Sequence, residues 1–193
     1  MKKLTLLSCG LAVLLLSCTK SSHHVTEIIP SFQKFTIAKG NHYADRNSLS
    51  TVETAEMKFM VKFDSSAIYK TLDPVNQYDI NKLYGFSDNS ANHHQYSARF
   101  GWRWNDDSLR LFAYLYNAGQ VSSKEIGSFE LNREIFCSIR VEGKDYVFMA
   151  DDKIRTMPRT ATTPLGSGYQ LYPYFGGDET APHDIFIWIR NIN

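Results

Sequence analysis

The chain has 193 residues, and its 21 Lys and Arg nearly cancel 20 Asp and Glu, leaving a formal net charge of +1. That balance excludes a general nucleic-acid binder, which needs a clear basic excess, and a hydrophobic content of 43% excludes a wholly disordered chain. Three cysteines cannot build a dense disulfide scaffold, so what remains is one globular domain with a heavy aromatic load of 11 Tyr, 12 Phe and 3 Trp.

The first element is an export label. Lys2 and Lys3 precede an apolar run from Leu4 to Leu16 that is too short to span a bilayer and has the layout of a secretory signal. The run ends in Leu15-Leu16-Ser17-Cys18, which resembles the lipobox of bacterial lipoproteins. The resemblance implies that residues 1–17 are removed and that Cys18 is acylated as the first mature residue; a plain signal peptide cleaved nearby is the alternative. Losing residues 1–17 leaves 19 basic and 20 acidic residues, a mature charge of −1. Two or three acyl chains hold a protein stably in a membrane, whereas one is marginal. Residues 18–31 then read as a polar tether and residues 32–193 as the folded domain. The expected location is the bacterial cell envelope, lipid-anchored and facing the periplasm or on the cell surface.

From residue 32 onward the pattern is that of β-strands. Apolar and polar residues alternate with period two in Glu56–Phe63, Tyr96–Trp104, Leu109–Tyr116, Ile135–Glu142 and Ile185–Arg190. Fainter alternation marks Gln33–Ile37, Lys82–Phe86, Glu125–Leu131, Tyr146–Ala150 and Tyr169–Phe175. Asn105-Asp106-Asp107-Ser108, Glu142-Gly143-Lys144-Asp145 and Asp151-Asp152 are turn-formers set between apolar runs. The only helical candidate is Ser66–Leu72, before Asp73-Pro74. About ten short strands in one domain predict an all-β, antiparallel two-sheet β-sandwich. Its expected core comprises Phe59, Val61, Phe100, Trp102, Leu111, Leu115, Ile139, Ile187 and Ile189, with Cys137 as a buried structural thiol.

Three stretches resemble the concanavalin A-like lectin and glucanase superfamily of jelly-roll sandwiches. They are Lys82-Leu83-Tyr84-Gly85-Phe86, the strand Ser97 to Arg103, and Tyr172-Pro173-Tyr174-Phe175-Gly176-Gly177 leading into the last strand. Retaining glucanases of that superfamily resemble one another in a Glu-x-Asp-x-x-Glu strand, which this chain lacks. Its alginate lyases share an Arg-x-Glu-x-Arg strand and a Tyr-Phe-Lys-Ala-Gly strand. Arg99 to Arg103 keeps two arginines without the glutamate, and Tyr174 to Gly177 lacks the lysine.

The outward parity carries the chemistry. With the apolar parity turned inward, the cations Lys82, Arg99, Arg103 and Arg140 share the outer face with Tyr84, Phe112, Tyr114 and Tyr116. Aromatic planes stack on sugar rings and guanidinium groups pair bidentately with carboxylates. Such a face suits a glycan or polysaccharide, in particular an acidic one, bound without catalysis; an ordinary solvated sheet face is the plain alternative. A polysaccharide lyase is the enzymatic alternative, in which Arg99 neutralises a uronate carboxylate and His94 or Tyr114 takes the proton beside it. A structural envelope lipoprotein without a small ligand is the third.

No metal or organic cofactor is expected. His93 and His94 are adjacent, so on a strand they would point to opposite faces. The loop carboxylates Asp151-Asp152 and Asp178-Glu179 are the places where calcium would fit. The hairpin at Asn105–Ser108 is expected to set Arg99 opposite Tyr114 and Arg103 opposite Phe112 or Arg110, and a one-residue slip would separate the arginines from the rings.

Overall fold

The computed structural model describes residues 30–192; the signal segment, Cys18 and the tether up to residue 29 lie outside the described residues. Among the described residues, twelve strands and two short 3-10 turns follow one another. The strands are β1 (Gln33–Ile37), β2 (Thr51–Thr54), β3 (Glu56–Phe63), β4 (Asn81–Ser87), β5 (Ser97–Asn105) and β6 (Ser108–Asn117), followed by β7 (Gln120–Phe129), β8 (Ile135–Glu142), β9 (Asp145–Ala150), β10 (Lys153–Pro158), β11 (Gly166–Leu171) and β12 (Ile185–Ile192). They form two six-stranded sheets, in the orders β1-β12-β3-β8-β9-β10 and β2-β11-β4-β5-β6-β7. Every named pair is antiparallel. The chain is therefore the expected all-β jelly-roll sandwich.

The strongly alternating segments become strands because each buries one parity between the sheets. All nine expected core residues are at most 2% exposed. Aromatic rings carry the contact across the gap: Phe59 meets Phe100 edge-on at 5.6 Å, Phe100 meets Phe148 at 5.4 Å, and Phe63 meets Trp102 at 5.3 Å. Cys137 is buried among them, and burial pushes its thiol pKa up. The hairpin between β5 and β6 turns on Asp106 and Asp107, both at positive φ (50° and 51°). Two such residues match the right-handed twist of the flanking strands, and the turn pairs Arg99 with Tyr114 and Arg103 with Arg110.

Four local expectations change. Strands β2 and β10 bear no clear alternation because they are sheet edges; in β10 only Met157 is buried. Strand β7 starts at Gln120, ahead of the expected Glu125, because Gln120 to Lys124 stay exposed on another edge. Strand β11 is Gly166–Leu171, where Gly166 and Gly168 let Phe86 and Ser87 approach closer than any side chain would allow. In place of one helix over Ser66–Leu72 there are 3-10 turns at Ser65–Ala67 and Pro74–Tyr78, whose first free amides are taken by Asp64 (2.9 Å to Ser66 N) and Asp73 (3.0 Å to Val75 N).

One buried ion pair ties the end of β4 to the loop before β11. Asp88 accepts from Arg159 Nε at 2.8 Å, from Ser167 N at 3.0 Å and from the Tyr146 hydroxyl. The Asp88 and Arg159 side chains are 0% and 2% exposed.

Candidate functional site

The second sheet carries a cavity of about 470 Å³ on its outer face. Its floor is the outward parity of β4, β5 and β6, which supplies Lys82, Arg99, Tyr114 and Tyr116. One wall is the chain beyond β11, with Tyr172 and Tyr174; the others are the turn bearing His93 and His94 and the loop bearing Tyr43 and Leu49. Tyr174 is held there by reciprocal backbone hydrogen bonds with Lys82, 2.8 and 3.0 Å long.

Of the seven residues expected from the sequence to bind a ligand, the structure brings these four together and separates three. Tyr84 points into the core, 4% exposed and packed edge-on against Phe59 at 5.1 Å. The cause is a β-bulge: Lys82 pairs with Gly101 and Gly85 with Arg99, so Leu83 and Tyr84 together face one residue of β5 and both turn inward. Arg103 shares the outer face of β5 but lies outside the cavity. Ile80 packs over the intervening Gly101, and Arg103 is engaged with Tyr78 O at 2.8 Å and Asn105 Oδ1 at 2.7 Å. Phe112 lies buried beneath the Arg103 guanidinium, whose Cζ is 4.7 Å from the ring centroid. Arg140 belongs to β8 in the other sheet and is paired with Glu142.

The electrostatics of the cavity are unbalanced. Arg99 is 6% exposed, its guanidinium lies 5.3 Å from the Tyr114 ring centroid, and its Nε has no hydrogen-bond partner among the described residues. Burial lowers its pKa. Lys82 Nζ donates to Gly176 O at 2.8 Å and lies 5.5 Å from the Tyr114 ring centroid. Burial, and secondarily the charge of Arg99, brings the Lys82 pKa down to about 8, with Asp79 opposing in part. Burial, then Arg99 and His94, pushes His93 down to about 4. Burial and Tyr116 push Tyr114 up to about 12. Among the described residues, no Asp or Glu lines the cavity. Two cations thus face an aromatic space that no carboxylate lines, with Asp79 acting on Lys82 from outside it.

Alternation alone missed several lining residues. His93 and His94 sit in a turn closed by Gln95 N to Asn92 O (2.8 Å), not on a strand, so their rings lie side by side 4.2 Å apart. His93 Nδ1 meets the Tyr169 hydroxyl at 2.8 Å. Tyr43, Tyr172 and Tyr174 come from irregular segments; Tyr172 and Tyr174 fell in the expected strand Tyr169–Phe175 and in the Tyr172-Pro173-Tyr174 run, whereas Tyr43 left no sequence signal. Lys82 on β4 brings its ammonium to the Gly176 carbonyl at the edge of the cavity. Of the loop carboxylates, Glu179 is occupied by Leu72 N, Asp73 N and Asn76 Nδ2, and Asp151 by Phe136 N and Arg133. Among the described residues no three His, Cys, Asp or Glu side chains converge as metal ligands would.

The class of protein is thus an antiparallel jelly-roll sandwich with a cationic, tyrosine-lined cavity on one sheet. No family model matches the chain, and no curated protein does. Among solved structures, the alginate lyase AlyC3 superposes with a TM-score of 0.56 at 12% identity, covering 82% of this chain and 72% of that one. The carbohydrate binding module CBM66 from Bacillus subtilis gives 0.41 at 10% identity over 85% and 94%. The beta-glucanase of Bacillus licheniformis gives 0.46 at 11% over 75% and 68%. At such identities the likeness is one of fold.

Proposed function

We propose that the cavity binds an acidic glycan, gripping a sugar carboxylate with Arg99 and Lys82 and stacking sugar rings on the surrounding tyrosines. The observation that carries this reading is the buried, unneutralised Arg99. A buried charged donor left without a partner costs about 1–3 kcal/mol or more, and a ligand carboxylate completes it with charge-assisted bonds. Sequence and geometry alike favour a planar anion attached to a ring. An array of uronate-containing and neutral glycans tests the proposal: binding confined to the acidic members is the expected result. Equal binding to neutral members, or no binding at all, refutes it, and the latter outcome favours a purely structural envelope role.

A polysaccharide lyase is the second reading, and the observation that favours it is that Arg99 shares its cavity with Tyr114, His94 and the adjacent His93. Burial holds the His93 pKa near 4, so its imidazole is neutral at neutral pH but a weaker base than an ordinary histidine. It lies in the same cavity as Arg99, which would neutralise the uronate carboxylate. The base would take the proton beside that carboxylate, and the glycosidic oxygen would leave from the adjacent carbon to give an unsaturated uronate. Ultraviolet absorbance during incubation with uronate polymers distinguishes lyase from binder.

The chain is proposed to reach its glycan from a membrane anchor at Cys18. Cys18→Ala is expected to move the protein from the membrane fraction to the soluble one, and a variant that resists high-salt washing counts against the anchor.

A further inference from the structure

The outer face of the first sheet, away from the cavity, has a composition that ligand binding does not explain. Its outward parity presents Met60, Phe136, Met149, Phe186 and Trp188, all half-buried, with Ile154 52% exposed. Register sets these side by side: Trp188 pairs with Lys62, Met60 with Phe136, and Ile154 with Met149. Cations cover the rings. Lys34 Nζ lies 3.5 Å from the Phe186 centroid, Lys62 Nζ 5.3 Å from that of Trp188, and Arg190 Cζ 4.8 Å from that of Phe32. Among the described residues, Lys34, Lys58 and Lys62 form no ion pair with a carboxylate. The acids of this face stand at its ends, Glu134 against Arg190, Glu56 and Glu142 beside Arg140, and Asp145 across from Glu142.

We propose that this face rests on the surface of an anionic lipid bilayer, so that the domain lies flat with its cavity turned away from the membrane. Three observations point to that occupant. Aromatic rings with lysine and arginine ammonium and guanidinium groups above an apolar layer are the composition of membrane–water interfaces, where the rings sit at headgroup level and the cations meet lipid phosphates. The chain reaches the domain on this same face: Phe32, directly before β1, packs under Arg190 and 5.8 Å from Lys62 Nζ. The thirteen residues from Thr19 to Ser31 span at most about 45 Å when extended, so an anchor at Cys18 keeps the face within reach of the bilayer. Charge also separates a bilayer from a second copy of the chain. A two-fold dimer through this face would bring the Lys34, Lys58 and Lys62 patches of both copies into one interface, whereas an anionic headgroup layer neutralises them.

Trp188 is the natural reporter, because Trp102 is fully enclosed and Trp104 lies on the other sheet. The acylated full chain is reconstituted in vesicles of phosphatidylcholine and phosphatidylglycerol whose acyl chains carry bromine, and tryptophan quenching is recorded against Trp188→Phe. The expected result is quenching that Trp188→Phe abolishes and that Lys34→Glu with Lys62→Glu reduces to the same level, while the protein stays with the vesicles. Added salt weakens the quenching in the unaltered chain. An unquenched Trp188 in a membrane-retained chain overturns the proposal and leaves the anchor intact. A chain that does not stay with the vesicles overturns the proposal and the anchor together. Quenching unmoved by the charge reversals, or charge reversals that change the oligomeric state, also overturn it, the last in favour of a second copy.

Discussion

Replacing Arg99 separates a binding role from a packing role, because the two predict opposite effects on stability. Arg99 is 6% exposed, stacked on Tyr114, and its Nε is without a partner. Arg99→Met keeps much of the stem's packing while removing a charge that the fold does not neutralise. The domain should lose no stability and can gain some, since a hydrophobic replacement of a poorly compensated buried charge is often neutral or stabilising. Binding should behave differently. Truncating one partner of a buried charged pair costs about 2–5 kcal/mol. Lys82 remains as a second cation beside the same ring, so the lower part of that range applies, about 2–3 kcal/mol, or roughly thirty- to a hundred-and-fifty-fold in affinity. Arg99→Lys keeps the charge but not the planar fork, and should fall between the two. Calorimetric titration with an oligouronate and with its carboxyl-reduced counterpart, alongside thermal unfolding, makes the comparison. Equal losses for the acidic and neutral ligands would refute the carboxylate grip. A fall in Tm of more than about 5 °C, worth over 1 kcal/mol in a domain of this size, would mean that Arg99 is structural.

Affinity for an acidic ligand should be highest below pH 8 and weaken as pH rises through about 8, where Lys82 loses its proton; Lys82→Met should flatten that profile in the same titration. Asp88→Asn should destabilise the domain by about 3–5 kcal/mol in urea unfolding, because it leaves Arg159 charged and buried. Replacing both partners by apolar residues should cost less than the single change. Burial alone would raise the Asp88 pKa, but hydrogen bonds from Arg159 and Tyr146 prevail and hold it below the usual carboxylate range. Its stabilisation is therefore complete above the usual carboxylate pKa and is lost as pH falls through its folded value; a melting profile of Asp88→Asn that keeps the full acid sensitivity would contradict this. Gly85→Ala should cost about 1–3 kcal/mol in overpacking and weaken binding, because a β-carbon there collides with Ala98 O and with the Arg99 backbone.

The fold class was legible in the sequence because each central strand buries one parity, and alternation records that burial residue by residue. Phe59, Phe100, Leu111, Ile139 and Ile187 are all enclosed as the pattern required. The β5–β6 hairpin was legible for a local reason too. Asn105-Asp106-Asp107-Ser108 supports two consecutive positive φ angles, and that turn alone puts Arg99 across from Tyr114. Edge strands β2 and β10 left little trace, since each sends a single apolar residue, Val52 or Met157, to the core, and one residue makes no period. The remainder was decided only in three dimensions. A single extra residue in β4 turns Tyr84 into the core, and nothing local in Lys82-Leu83-Tyr84-Gly85-Phe86 marks where pairing with β5 slips. Arg103 and Arg99 have the same parity on one strand, yet Ile80 and Tyr78, more than twenty residues earlier in the chain, cover one and leave the other facing a cavity. The walls of that cavity come from loops near residues 43, 93 and 174, brought together by the sandwich. Periodicity reports which way a side chain faces. Which distant segments meet it there depends on contacts between residues far apart in the chain, and those carry no local period.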